Sequence, residues 1–259
     1  MASDALPVVH GVDFSGADSG GAAKIRVVTR DLSAPKVPVM SMGRLDRRGL
    51  VRAVLATPED GRVHFWRIDA PMSVPAEIPV AFEVPGDWMA IARWMQALGS
   101  PRHWRGTVRD RTRREPRRDC DREFATPMSP LNLRVFKQTW TFVCEVLLPL
   151  AEAGVRIEPC VPGAGASARV RVAEGCPSSV LHAYGWPRRG YKGGGEPPRA
   201  QRAAILERLR GTGMQVPEPI AAEAIRDEEG DLLDALVLAT PPFASAPSAA
   251  AMAGEGWVY

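Results

Sequence analysis

The sequence is poor in cysteine, and its four cysteines (Cys120, Cys144, Cys160 and Cys176) lie far apart without a Cys-x-x-Cys pair. This spacing argues against a zinc knuckle and a disulfide framework, and it is typical of reduced thiols in a cytoplasm. No apolar run reaches the ~18 residues that span a bilayer. No basic region followed by an apolar stretch stands at the N-terminus. We therefore expect a soluble, cytoplasmic protein without a membrane partner.

An excess of charge of one sign is also nearly absent, since 33 Lys and Arg against 30 Asp and Glu leave a formal net charge of +3. The composition, 45% hydrophobic and 24% charged, is that of a globular protein and excludes disorder of the whole chain. The 24 glycines and 24 prolines indicate many turns and some long irregular connections. A chain of 259 residues suits one elaborated α/β domain or two small domains.

The positive charge is concentrated in residues 102–122, where nine arginines stand against four acidic residues. Arginine forms forked, bidentate bonds to phosphate, so this segment could follow a phosphate backbone. The same composition is equally typical of a solvated loop with local ion pairs. A nucleic-acid partner is therefore one of two interpretations of the segment.

Hydrophobic patterning predicts strands at residues 6–14, 23–30, 37–42 and 63–68, with a helix at 45–56 before the last of these. A further strand is predicted at 169–173, and helices at 88–98, 133–153, 178–184, 199–210 and 231–240. Pro149 should kink or end the second of these helices. We interpret residues 1–259 as a single α/β domain in which residues 76–165 form a helical, arginine-rich insertion.

Acidic residues stand where the chain leaves a strand or enters a helix: Asp13, Asp69, Glu174, Asp231 and Asp234. Carboxyl ends of parallel strands face one crevice, and residues three apart on a helix are neighbours. Clustered carboxylates raise one another's pKa unless a cation lies between them. Oxygen ligands of this kind suit Mg²⁺ or Mn²⁺, and two such ions can clamp both reacting oxygens of a phosphodiester.

Each acidic residue also has a structural interpretation. Asp231 could be the N-cap of its helix, and Asp234 could be favoured by the helix dipole. Glu174 could be an ordinary strand-end residue. Asp13 lies in an otherwise apolar strand, where a charge is costly without a partner. The prediction of a metal site therefore depends on the joint placement of these residues.

Short motifs spread over nearly the whole chain carry a resemblance to a known family. They occupy residues 11–17 (GVDFSGA), 68–71 (IDAP), 118–121 (RDCD), 129–132 (SPLN), 174–177 (EGCP), 191–193 (YKG), 230–235 (GDLLDA) and 255–257 (EGW). In this order they resemble the predicted-nuclease family called domain of unknown function 429. The sequence departs from the family at Cys176, where members often have Tyr or His; we interpret Cys176 as a small buried replacement.

The resemblance implies a ribonuclease H-like α/β fold, with a mixed five-stranded sheet, flanking helices and the insertion after the fourth strand. It also implies that acidic residues on the first strand, the fourth strand and the last helix bind the metal. In this chain those positions are Asp13, Asp69, Asp231 and Asp234, with Glu174 as a further catalytic candidate. The candidate substrate-binding residues are Ser15, Arg118, Arg122 and Lys192.

Three functions are compatible with these patterns. The first is a metal-dependent nuclease that hydrolyses DNA or RNA with Mg²⁺ or Mn²⁺. The second is a nucleic-acid-binding module that keeps the fold without catalysis. The third is an actin-like or sugar-kinase-like phosphotransferase, because residues 13–16 (DFSG) also resemble the first phosphate loop of those proteins. The third requires a second glycine-rich phosphate loop, which the sequence lacks.

Overall fold

The computed structural model of the chain describes residues 6–18, 23–112, 115–243 and 246–259, with the backbone alone at 166–167. Within these residues, six strands form one mixed sheet in the order β3-β2-β1-β4-β6-β5. The strands are β1 (Val8–Asp13), β2 (Ile25–Asp31), β3 (Met40–Leu45), β4 (His64–Asp69), β5 (Arg156–Ile157) and β6 (Val170–Glu174). Strands β1, β4, β6 and β5 are parallel, and β2 is antiparallel to both of its neighbours.

Helices cover both faces of the sheet. Those in the described residues are α1 (Arg47–Leu55), α2 (Glu77–Ala81), α3 (Trp88–Ala97), α4 (Pro101–Thr112), α5 (Asp119–Glu123), α6 (Phe136–Phe142), α7 (Leu148–Glu152), α8 (Pro177–Ala183), α9 (Glu196–Gly211), α10 (Glu218–Arg226) and α11 (Asp231–Leu238). A π-helical segment, Val143–Leu147, joins α6 to α7, so the predicted long helix loses its regular hydrogen-bonding pattern just before Pro149 and ends after Glu152.

Strand alternation divides the core between the two faces. On one face Val12, Trp66 and Ile68 pack with residues of α1, α3, α4, α6 and α7. On the other face α8 to α11 form a second cluster, which includes Val28 of β2. Because Asp13 and Asp69 lie one position after Val12 and Ile68, they belong to the second face, beneath α11.

The sheet has six strands in the described residues, so the predicted count of five is wrong. The additional strand, β5, has two residues and is too short to produce an alternating pattern. Much of the arginine-rich segment is helical in the described residues: Pro101–Thr112 form α4, which buries Trp104 and Val108 on one side, and Asp119–Glu123 form α5. The insertion shares its core with the sheet, since Trp104 and Phe142 belong to the same cluster as Val12.

No helix in the described parts of the chain combines the length and the apolar character that crossing a membrane requires.

Helix α11 approaches β1 most closely at Gly11. A Cβ atom at this position would lie 2.1 Å from the carbonyl oxygen of Ala235 and 2.5 Å from the amide nitrogen of Ala239. Both atoms belong to backbone and cannot rotate away. Gly11 therefore allows α11 to lie directly on the strand.

We expect Gly11→Ala to lower the free energy of unfolding by about 3 kcal/mol, because the helix must move away from the strand. Gly43→Ala is the matched control, since a Cβ at Gly43 meets nothing within 4 Å. Its effect should stay within about 0.5 kcal/mol. Urea unfolding measures both values, and equal stabilities of the two variants would contradict the close packing of α11.

Candidate metal centre

Two carboxylates stand side by side at the end of the central parallel strands. Strands β1 and β4 pair in register, so that Asp13 lies opposite Asp69, each the last residue of its strand. Helix α11 lies over this end of the sheet and directs Asp234 toward the same point. One carboxylate oxygen from each of Asp13, Asp69 and Asp234 lies within 4.8 Å of the other two. We call these three residues the carboxylate cluster.

The three carboxylates of the cluster differ in their hydrogen-bond and ion-pair partners. Asp234 accepts a hydrogen bond from the hydroxyl of Tyr191 at 2.8 Å and pairs with Lys192 Nζ at 2.7 Å. Asp13 is only 9% exposed. Neither the Asp13 nor the Asp69 side chain has a hydrogen bond or an ion pair with any residue that the structure describes. Two carboxyl groups are therefore held together without a counter-charge in direct contact.

Burial and mutual repulsion shift the proton affinities of the cluster. Burial raises the pKa of Asp69 from its usual 3.8 to about 8, and the negative charge of Asp234 contributes in the same direction. Burial, followed by the charge of Asp234, raises the pKa of Asp13 well above its usual range. The pKa of Asp234 is also raised by burial, against the opposing effect of Lys192. Such shifts indicate a place where a cation would be stabilised.

The cluster lies in an open cavity of about 1310 Å³. Several basic side chains line it: Lys24, Arg44, Arg134, Lys137, Arg188, Arg189 and Lys192. Of these, sequence patterns indicated Lys192 alone, because the others are scattered along the chain and meet only in the folded protein. A cavity lined by clustered carboxylates and by several basic side chains suits an anionic ligand that is bound through a cation.

The ends of β1 and β4 are tied to the insertion. The side-chain amide of Gln138, in α6, donates to the carbonyl oxygens of Phe14, at 3.1 Å, and of Asp69. Gly16 allows this contact, because a Cβ there would lie 2.5 Å from Cα of Gln138. Sequence patterns do not indicate Gln138, because its partners are backbone atoms far away in the chain.

Glu174 has a different environment from the carboxylate cluster. Its two carboxylate oxygens accept from the guanidinium of Arg118 at 2.6 and 2.7 Å, and one of them also accepts from the backbone nitrogen of Met72 at 2.9 Å. Arg118 binds Asp121 as well, at 2.7 Å, and is only 1% exposed. These contacts occupy Glu174, so it stabilises the wall of the cavity and is not among the clustered carboxylates.

The expected substrate-binding roles of Arg118 and Arg122 do not agree with their positions. Every N–H group of the Arg118 guanidinium faces a carboxylate or a backbone carbonyl oxygen within 3.4 Å, which leaves no donor for a ligand. Arg122 is exposed, pairs with Asp119 at 3.0 Å and does not line the cavity.

The arginine-rich segment contributes little to the cavity. Among its arginines in the described residues, Arg118 alone lines the cavity; Arg113 and Arg114 lie outside those residues. Arg105 instead pairs with Glu115 at 2.9 Å, and Arg111 lies over the ring of Phe82. In the described residues the segment therefore reaches the cavity through Arg118 and Asp121, while Arg105 and Arg111 hold α4 to neighbouring parts of the insertion.

The remaining candidates lie at the cavity. Ser15 and Asp231 line it, but Asp231 is outside the carboxylate cluster. The N-cap of α11 is Gly230, and the backbone nitrogen of Leu232 donates to the Asp227 carboxylate at 2.9 Å. Asp231 is therefore not the N-cap, and its side chain accepts no hydrogen bond within the part of the chain that the structure describes.

Comparisons with known proteins add no relative: no family model matches the chain, and neither the curated proteins nor the solved structures contain a match.

We expect Arg118→Ala to lower the free energy of unfolding by about 3–5 kcal/mol, because it leaves Glu174 and Asp121 buried without their counter-charge. Arg122→Ala is the matched control, since it removes an exposed arginine from a pair with Asp119, and it should cost less than about 1 kcal/mol. Denaturant unfolding distinguishes the two variants. A small loss for Arg118→Ala would mean that the cavity wall does not depend on this pair.

The raised pKa of Asp69 makes stability depend on pH in a definite direction. Without metal, the Asp69 carboxyl holds its proton more tightly in the folded chain than in the unfolded chain between pH 3.8 and about 8, so the stability that it contributes is lost as pH rises through this window. Asp69→Asn should reduce that loss by up to about 1.4 kcal/mol per pH unit. Urea unfolding from pH 5 to 8 in a chelator, with Asp110→Asn as the surface control, measures the difference. Parallel pH profiles for wild type and Asp69→Asn would refute the shift.

Proposed function

We propose that the chain is a metal-dependent nuclease that hydrolyses phosphodiester bonds of DNA or RNA. The observation that carries this proposal is the cluster of Asp13, Asp69 and Asp234. The carboxylates of Asp13 and Asp69 have no hydrogen-bond or ion-pair partner among the described residues and share the end of adjacent parallel strands. Uncompensated acids at this density oppose folding unless a ligand gains from them. Their chemistry favours Mg²⁺ or Mn²⁺, which bind carboxylate oxygen.

The cluster fits such an ion in donor type and spacing. Its oxygens lie within 4.8 Å of one another, and opposite ligands of an ion with bonds of about 2.1 Å are roughly 4.2 Å apart. A small inward rotation of the side chains would therefore close the site. A bound ion would activate water and neutralise the developing negative charge of the phosphate.

The chain itself would hold the substrate and fix the ligands. Gln138 keeps the ends of β1 and β4 at a constant separation, because its amide binds the carbonyl oxygens of both Phe14 and Asp69. Basic residues on different sides of the cavity, among them Lys24, Arg134 and Arg189, offer charge to a phosphate backbone. These residues are the proposed nucleic-acid contacts in place of the arginine-rich segment.

Two further observations support a ribonuclease H-like assignment. Three consecutive strands, a helix and a fourth strand beside the first form the centre of the sheet. Acidic residues on the first strand, the fourth strand and α11 meet at one point, as the resemblance to domain of unknown function 429 implies. The strand β5 is an addition to the five-stranded sheet that the resemblance implies.

The test compares wild type with Asp13→Asn on single- and double-stranded DNA and RNA in the presence of Mg²⁺ or Mn²⁺. We expect the wild type to cleave at least one substrate and Asp13→Asn to lose cleavage by at least about 100-fold, since the amide keeps the shape but removes the charge that binds the ion. Asp110→Asn, on the exposed side of α4, should retain wild-type activity.

Each alternative result has a defined meaning. A wild type that binds oligonucleotides but cleaves none of them would favour the non-catalytic binding module. Equal cleavage by wild type and Asp13→Asn would exclude Asp13 as a metal ligand. Retention of the wild-type circular dichroism spectrum by Asp13→Asn ensures that a loss of cleavage does not come from unfolding.

A further inference from the structure

Lys192, whose side chain is 51% exposed, forms an ion pair with the carboxylate cluster. Its Nζ lies 2.7 Å from Oδ2 of Asp234, whose other carboxylate oxygen accepts from the hydroxyl of Tyr191. Two consecutive residues thus bind the two oxygens of one carboxylate. Asp234 is the member of the carboxylate cluster with a counter-charge in direct contact.

The backbone on both sides of Lys192 is fixed by one buried guanidinium. Arg202, in α9, is 2% exposed. Its Nη1 donates to the carbonyl oxygens of Tyr191, at 2.7 Å, and Gly193, at 3.0 Å, while its Nε donates to the carbonyl oxygen of Ile225 at 2.8 Å. The residues that flank Lys192 are therefore anchored to α9 and to the end of α10.

The stem of Lys192 is supported by the turn that begins α11. Gly230 in that turn has a φ of +78°, and a Cβ there would lie 3.4 Å from Cγ of Lys192. The backbone nitrogen of Gly193 donates to the carbonyl oxygen of Glu228 at 2.7 Å. The segment that carries Lys192 is therefore bonded to the residues just before α11, the helix that carries Asp234.

The arrangement also fixes the charge of the cluster. The three carboxylates, when ionised, and the Lys192 ammonium together carry two negative charges, which a single divalent ion neutralises. A second divalent ion would reverse the sign of the cluster. It would also have to compete with Nζ for Asp234, whose carboxylate has both oxygens engaged.

We propose that Lys192 is a positioning residue whose ammonium takes the place of a second metal ion, so that the carboxylate cluster binds one divalent cation. This inference rests on the proposed function. The number of metal ions bound per chain distinguishes this site from a site with two ions, and it is measured without an activity assay.

The test counts Mn²⁺ ions bound per chain, by isothermal titration calorimetry and by the electron paramagnetic resonance signal of free Mn²⁺. We expect one ion for the wild type and two for Lys192→Met, which keeps the stem on Gly230 but removes the charge. Lys192→Arg keeps a cation and should bind one ion. Lys137→Met, which removes a charge at the same cavity away from the carboxylate cluster, should also bind one.

Lys192→Gln serves as a second neutral variant should Lys192→Met fail to fold, and it should likewise bind two ions. A wild type that binds two ions would overturn the inference and leave the proposed nuclease function intact. One ion bound to a folded neutral variant, at any affinity, would overturn it as well. Absence of Mn²⁺ binding from the wild type and all variants would overturn the proposed function itself.

Discussion

The site depends on the contact of α11 with β1 at Gly11, where the helix backbone lies so close that no side chain fits between them. This contact fixes the height of α11 above the sheet, and with it the position of Asp234 relative to Asp13 and Asp69. Apolar packing of α11, whose residues from Leu232 to Leu238 are all buried, provides the free energy that holds three acidic groups together. Apolar packing around the site thus offsets the unfavourable free energy of placing three acidic groups close together.

The buried acids at the ends of neighbouring strands have two different environments. Glu174, at the end of β6, is neutralised by Arg118 and bound by the backbone of Met72. Asp13 and Asp69, at the ends of β1 and β4, have no such partner within the described residues. The three strands are parallel and adjacent, so their ends are equivalent by topology. The partners differ, and this difference separates an acid that stabilises the wall from acids that remain free to bind a ligand.

Much of the fold could be predicted because alternation and helical periodicity are local properties of the chain. The positions of β1, β4 and α11, and therefore of Asp13, Asp69 and Asp234, follow from such patterns. The strand β5 was missed because its two residues have no periodicity. The roles of Arg118 and Gln138 were missed because their partners, Glu174 and the carbonyl oxygen of Asp69, lie 56 and 69 residues away in the chain. The local sequence shows that an arginine is charged, but it does not show which carboxylate the arginine contacts in the folded protein.

The insertion is not separable from the domain. Gln138 reaches the ends of two central strands, and Trp104 and Phe142 fill the same core as Val12 and Trp66. A shortened chain without residues 76–165 would leave that face of the sheet to α1, without α3, α4, α6 and α7, and would free the strand ends that carry Asp13 and Asp69. A compact relative without this segment would therefore need a different cover for the apolar residues of that face.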